Sequence, residues 1–170
     1  MKKVPMITTE RLVLRTIENY DQEDMIAILT NEEVGRTFLV PDFKSREEEV
    51  RLFEVLKKLS ESEERFVYGV YLDNKLIGFI NDVDITESEI ELGYVIHPQH
   101  KNKGYATEVL GASIDQIFSL GYSVVKTGAF EENFASIRVM EKCDMVRMEQ
   151  EDSIEYRGKV HRCVYYKKEK

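Results

Sequence analysis

Between residues 97 and 110 the chain reads HPQHKNKGYATEVL, a stretch whose residue types are suited to holding an anion. Lys101 and Lys103 place positive charge around a lone Gly104, and an apolar-periodic segment follows at once. A pyrophosphate needs several backbone N–H groups aimed at one point, and a helix N-terminus supplies them together with a partial positive charge. Glycine removes the Cβ that bars a phosphate from the backbone, and it permits the positive φ that turns N–H groups inward. The same pattern also describes an ordinary strand-to-helix turn. No GxGxxG or GxxxxGK[ST] occurs, so this is neither a Rossmann fingerprint nor a Walker loop. The remaining reactive residue types are less informative. His97 and His100 stand on a loop with no acidic partner nearby, which suits exposed histidines better than a metal site, and no metal is expected. Cys143 and Cys163 form neither a metal spacing nor a short redox motif, and two free thiols are expected.

The elements that must position this loop follow from periodicity. RLVLRTI (residues 11–17) alternates apolar and polar residues and reads as a half-buried strand. NYDQEDMIAILT puts Met25, Ile28 and Leu29 on one helical face with acidic residues in the first turn. Residues 45–62 open with a capping box, Ser45 and Glu48, and carry Val50, Phe53, Leu56 and Leu59 along one stripe of a helix. RFVYGVYL and KLIGFINDVDI flank the turn signal DN and should pair as an antiparallel hairpin. SEIELGYVI is a third strand, with Gly93 marking a bulge or a close backbone approach. The helix after Gly104 has an apolar face from Ala106 through Val109, Leu110, Ile114 and Ile117 to Phe118, with Gly121 as its stop. SVVKTGAF is a strand, ENFASIRVMEKC a short helix with Asn133 at or near its N-cap, and MVRMEQ and RCVYYK are closing strands. The order β-α-α-β-β-β-α-β-α-β-β predicts an α+β (mixed α/β) fold. Its sheet is largely antiparallel, with one β-α-β crossover that places two strands parallel.

The 170 residues, with no repeat, low-complexity tract or Pro/Gly/Ser linker, are expected to form a single domain. No apolar run approaches the roughly 20 residues of a membrane helix, and MKKVPMITTERL has no apolar h-region, so a cytoplasmic protein is expected. A formal net charge of −8 argues against nucleic acid as the main partner, because neutralising phosphates takes clustered Lys and Arg. It suits a cationic substrate such as an amine, although the commoner meaning of such a charge is a protein that is merely well solvated.

Four blocks in order, TTERLVLR, IELGYVIHP, KNKGYATEVL and ENFASIRVMEKCDM, resemble the GCN5-related N-acetyltransferase superfamily. The likeness is greatest to its branch of ribosomal-protein N-terminal acetyltransferases (RimJ/RimL-like) and spans residues 9–166. It implies a GNAT fold of six to seven mostly antiparallel strands flanked by about four helices. The family's fourth and fifth strands splay apart to seat the pantetheine arm of acetyl-CoA. Strand backbone at Val95 and Ile96 would bond that arm, and Lys101, Asn102, Lys103, Gly104, Tyr105 and Ala106 would hold the pyrophosphate. Asn133 and Ser136 would face the pantetheine and thioester, and Lys142 would reach the nucleotide end. The chain departs from the family pattern at Lys101 (Gln or Arg), at Asn102 (usually Gly), and at CDM in place of L-G-F. Lys keeps the charge without the guanidinium fork, and Asn tolerates left-handed φ better than most residues. Met140 stands where many relatives carry a tyrosine acid, and it has no proton to give.

The activity implied is transfer of acetyl from acetyl-CoA to a primary amine, on a protein N-terminus or a small polyamine-like or aminoglycoside molecule. The family commonly dimerises. A lysine-like ammonium (pKa about 10.4) or an α-ammonium (about 7.7–8.0) must lose a proton before attack, which a carboxylate acting through water can accept. Glu91 is the first candidate base and Glu155, in a late loop, the second. Ser136 is the candidate proton donor to the departing thiolate, with Tyr105 and Tyr94 as fallbacks. Neither cysteine is expected to form a covalent intermediate. Acceptor specificity is expected from residues 20–65 and 150–160, where the acidic runs ESEE and EQED could attract a cation or simply face water. The departures at Asn102, Met140 and CDM also fit a second reading, a non-catalytic acyl-CoA-binding module. A different phosphate ligand at the same loop is the third.

Overall fold

The structure, a computed structural model, describes residues 2–170. Its eight strands are β1 (Met6–Thr8), β2 (Val13–Arg15), β3 (Tyr68–Leu72), β4 (Lys75–Ile85), β5 (Glu89–Ile96), β6 (Val124–Phe130), β7 (Val146–Tyr156) and β8 (Lys159–Glu169). They form one sheet in the order β1-β2-β3-β4-β5-β6-β8-β7, antiparallel throughout except where β5 meets β6. Four helices flank it: α1 (Gln22–Leu29), α2 (Arg46–Glu61), α3 (Tyr105–Ser119) and α4 (Phe134–Lys142). This is the mixed α/β architecture expected, with one strand more than the six to seven anticipated. The extra strand is β1, whose three residues are too few to show a period, yet which pairs Ile7 with Leu14 of β2.

Turn chemistry holds the register. Asp73 and Asn74 both take positive φ (49° and 65°), the I′-type geometry that joins β3 to β4. Arg157 (φ 49°) and Gly158 (φ 72°) repeat it between β7 and β8. That second hairpin corrects the expectation of a loop over residues 150–160. β7 is an edge strand exposed along most of its length, so no alternation of burial marked it in the sequence.

The expected helix ends are present, with one adjustment. Ser45 caps α2 by accepting from the Glu48 N–H at 3.4 Å, but Glu48 reaches back to the Lys44 N–H at 2.7 Å. At the end of α3, Gly121 (φ 100°) allows its N–H to meet Phe118 O and the Tyr122 N–H to meet Ile117 O, the paired bonds of a Schellman stop.

The sheet carries a core on each face. On one, Leu12, Tyr68, Ile80 and Leu92 pack against Val109, Leu110, Ile114 and Ile117 of α3 and Met140 of α4. On the other, Tyr71, Phe79 and Val95 pack against Met25, Ile28 and Leu29 of α1 and Phe53 and Leu56 of α2. Met140 is fully buried in the first core, so it acts there as packing.

Candidate active site: two cavities meeting at a strand gap

The site begins where the sheet opens. β5 pairs with β6 only from Glu89 to Leu92, opposite Val124 to Thr127. β5 then runs on from Gly93 to Ile96 with β4 alone, while β6 continues from Gly128 to Phe130 with β8. The backbone groups of residues 93–96 that face β6 therefore lack a sheet partner. A register break on β4 at Val83, between Asp82 and Asp84, lies just across from this point. The splay is thus as expected, but the irregularity sits on β4 rather than at Gly93.

On the α3/α4 side of the gap lies a cavity of about 550 Å³. Tyr94, Val95 and Ile96 form its floor, residues 100–107 (without Lys103) one wall, and Asn133, Ser136, Arg138 and Lys142 the other. Its chemistry is set by the start of α3. Gly104 is the N-cap with φ 81°, and it offers no side chain to the amides of the first turn. The helices α2 and α4 cap theirs with Ser45 and Asn133. The N–H groups of Tyr105, Ala106 and Thr107 have no intrahelical acceptor, and all three residues line this cavity. Asn102 also takes left-handed φ, 60°, as its residue type allows.

The wall is tied down from a distance. Glu108 accepts from Thr9 Oγ1 (2.5 Å), the Arg11 N–H (2.8 Å) and Arg11 Nε (2.8 Å), while Arg11 Nη1 holds Lys103 O at 2.8 Å. Burial pushes the Glu108 carboxyl up, and those donors from Thr9 and Arg11 outweigh it, so its pKa lies below the ordinary value. The Arg11 guanidinium also stacks 4.6 Å over the Tyr105 ring, which is buried. Sequence reasoning missed Glu108; the TTER block and a lone glutamate in the helix's first turn are signals only when seen together.

Of the cofactor residues proposed from sequence, ten line this cavity: Val95, Ile96, Lys101, Asn102, Gly104, Tyr105, Ala106, Asn133, Ser136 and Lys142. Lys103 does not; its carbonyl is engaged by Arg11. Lys101 Nζ is paired with Glu33, a cleft residue that the ammonium holds below the usual carboxylate range. Asn133 Oδ1 accepts from the Ser136 N–H (3.2 Å) and Nδ2 donates to Ser136 Oγ (3.0 Å), which orients the hydroxyl and leaves its proton free. Tyr94 donates to Ser136 O at 3.3 Å, and burial pushes its phenol pKa up, so it stays protonated. Arg138, not anticipated, also lines the wall, as does His100, which was expected to be exposed but is half-buried, its Nδ1 without a hydrogen-bond partner.

On the α1/α2 side lies a second cavity of about 380 Å³, sharing Thr37 and Phe38 with the first. Glu91 lines it, half-buried, and its pKa is raised by burial first and then by Asp84, against the opposing pull of Lys126. Glu155 lines neither cavity. It lies on β7 rather than in a loop and is exposed, adjacent to Ile154, which does face the cavity. Tyr156 is the residue that matters on this hairpin. Its hydroxyl meets Gly35 O (2.9 Å), Phe38 O (3.2 Å) and Val40 O (3.3 Å), pinning the segment that roofs both cavities. Burial raises the Cys143 thiol to about 11 and also raises Cys163, so neither is poised as a thiolate nucleophile. Among the described residues, no cluster of His, Cys, Asp and Glu has metal-site geometry and no helix is long and apolar enough to cross a membrane.

Known proteins resemble this chain in sequence and fold. The family model described as "Acetyltransferase (GNAT) domain" matches residues 11–146. The chain is 32% identical over 143 residues, 81% of each protein, to the uncharacterized N-acetyltransferase YoaA of Bacillus subtilis (strain 168). Among solved structures it is similar to a GNAT-family acetyltransferase from Bacillus anthracis, at 27% identity with a TM-score of 0.81, covering 96% of this chain and 98% of that one. In fold it is also similar to RimL, a ribosomal L7/L12 alpha-N-protein acetyltransferase in complex with coenzyme A, at 15% identity, TM-score 0.81, covering 96% and 97%.

Proposed function

The chain belongs to the GNAT acetyltransferase family, and from that premise we propose that it transfers acetyl from acetyl-CoA to a primary amine within a ternary complex, by direct attack. The observation that carries this reading is the gap itself. β5 leaves β6 after Leu92, and a polar, amide-rich cavity opens on one face while a second cavity holding a half-buried carboxylate opens on the other.

The residues present fit acetyl-CoA as substrate. The uncapped amides of Tyr105, Ala106 and Thr107 suit its pyrophosphate. Lys101, Arg138 and Lys142 supply counter-charge, and the unpaired edge of β5 can bond an extended amide arm as a strand would. Acetyl-CoA brings an activated thioester; the chain supplies position and proton handling. Glu91 takes the proton from the acceptor ammonium, and burial raises its pKa toward that of the amine, which favours the transfer. Ser136, oriented by Asn133, donates its proton to the departing sulfur. Tyr94 donates to the carbonyl of the same residue and supports the turn.

Initial-rate kinetics test the reading. Double-reciprocal lines that intersect when both acetyl-CoA and amine are varied support a ternary complex; parallel lines indicate a covalent acetyl-enzyme and contradict it. Acetyl-CoA binding without CoA release from any amine would instead favour the non-catalytic module.

A further inference from the structure

The acceptor-side cavity has a composition that selects among amines. Leu39, Leu52, Leu56, Phe79, Phe130 and Ile154 are among the apolar side chains of its wall, and among the described residues that line it Glu91 alone carries a charge. Opposite Glu91's strand, one polar atom is left over. Asn81 Nδ2 donates to Asp82 O at 3.0 Å, but Oδ1 is buried with no hydrogen-bond donor. Asn81 lies directly across from Gly93 in the β4–β5 ladder, and both line the cavity with Glu91. A Cβ on Gly93 would stand 3.4 Å from that Oδ1, so the glycine keeps the approach to it open.

An unsatisfied buried acceptor is costly unless a ligand completes it. A primary amine has N–H groups to offer both Asn81 Oδ1 and Glu91. The rest of such a molecule then enters a mainly apolar chamber, whose lining offers a second cation no further carboxylate and where it would lose its hydration. The size, about 380 Å³, is at the small end for ligand cavities and suits one compact side chain or ring.

We infer that the acceptor is a primary amine carried on an uncharged, apolar body, with its nitrogen at the Asn81–Glu91 end and its body among Leu52, Leu56, Phe130 and Ile154. This rests on the amine-acetylation reading above and narrows it away from polyamines and aminoglycosides. No residue of the acidic runs 61–64 and 149–152 lines the cavity, although Asp152 adds to the upward push on the Glu91 pKa from outside it. The same chemistry is presented by a small arylalkyl or alkyl amine and by a peptide whose first residue is Leu or Phe.

The test measures CoA release with the intact protein, acetyl-CoA and four sets of acceptors. They are n-alkylamines of rising length with 2-phenylethylamine; putrescine and spermidine; Leu- and Phe-initiated tripeptides; and Ser-initiated tripeptides. Among the alkylamines, kcat/KM is expected to climb about fourfold per methylene until the cavity is full. Apolar monoamines or Leu/Phe peptides should exceed the polyamines and Ser peptides, and which of the two leads identifies the source. Leu52→Glu, which puts a carboxylate at a half-buried wall position, should shift preference toward diamines. Asn81→Leu should lower kcat/KM for every amine while leaving acetyl-CoA affinity unchanged. Polyamines or Ser peptides as the preferred substrates overturn the inference and leave amine acetylation standing. No turnover with any acceptor, despite acetyl-CoA binding, overturns both.

Discussion

The two cavities on either side of the β5–β6 gap are built by opposite means. The larger is walled by two contiguous runs, residues 100–107 and 133–142, and its defining groups are backbone amides and exposed strand edge. The smaller draws side chains from the α1–α2 connection, α1, α2, β4, β5, β6, β7 and β8. A backbone site tolerates changes of side chain, so the off-pattern Lys101 and Asn102 are expected to leave it intact. A side-chain site is rewritten by single substitutions. Acetyl-donor binding should therefore be robust and acceptor choice fragile.

The strongest way to separate the two sides is Glu91→Gln. Loss of the base should lower kcat by about two to three orders of magnitude, with acetyl-CoA affinity unchanged in calorimetry. The same change has a stability signature. The folded pKa of Glu91 lies above its unfolded value, so its contribution is fully present below that unfolded value, near 4.5, and is lost as pH rises through the folded value. Glu91→Gln should thus raise Tm at about pH 8 and leave it little changed at about pH 3.5. The acid limb of kcat/KM in the parent protein should correspondingly sit above the ordinary carboxylate range.

The complementary break is Gly104→Val. A β-branched residue at φ 81° costs roughly 1–2 kcal/mol or more, and its side chain would meet the Arg11 guanidinium, 3.3 Å from the added Cβ. Acetyl-CoA affinity should fall by about tenfold or more, with the acceptor-side wall untouched. Should Gly104→Val bind acetyl-CoA as the parent does, the amides of α3 are not the pyrophosphate site.

How much of this was legible in the sequence divides along the same line. The strand–loop–helix with Gly104 and the Asn133 cap lie within short windows, where spacing maps directly onto geometry. Helix faces and the Asp73–Asn74 turn were readable for the same reason. The second cavity was not, because Leu39, Asn81, Phe130 and Ile154 become neighbours only when the sheet order is known. Glu155 was read as the second candidate base in a late loop; it lies on β7, an edge strand exposed along most of its length, so no apolar alternation marked its strand or its outward direction. Tyr156, one residue later, is instead the contact that pins residues 35–40, and nothing local distinguishes it from other exposed-strand tyrosines.

Two smaller changes sharpen the contrast. Tyr156→Phe removes a hydroxyl shared by three carbonyls and should destabilise the fold by about 1 kcal/mol. It should raise the acceptor KM several-fold by loosening the roof, while the Kd for acetyl-CoA moves less. Lys101→Ala should weaken acetyl-CoA binding only about two- to threefold at moderate salt, because the side chain is exposed and already paired with Glu33. An effect as large as that of Gly104→Val would show that the lysine, rather than the helix amides, carries the phosphate.

Titration calorimetry with acetyl-CoA, comparing the parent protein with Gly104→Val and Glu91→Gln, tests the central claim most directly. Saturable one-site binding to the parent is expected, unchanged in Glu91→Gln and weakened in Gly104→Val. No heat of binding to the parent at millimolar acetyl-CoA would contradict the assignment of the β5–β6 gap as the acetyl-donor site.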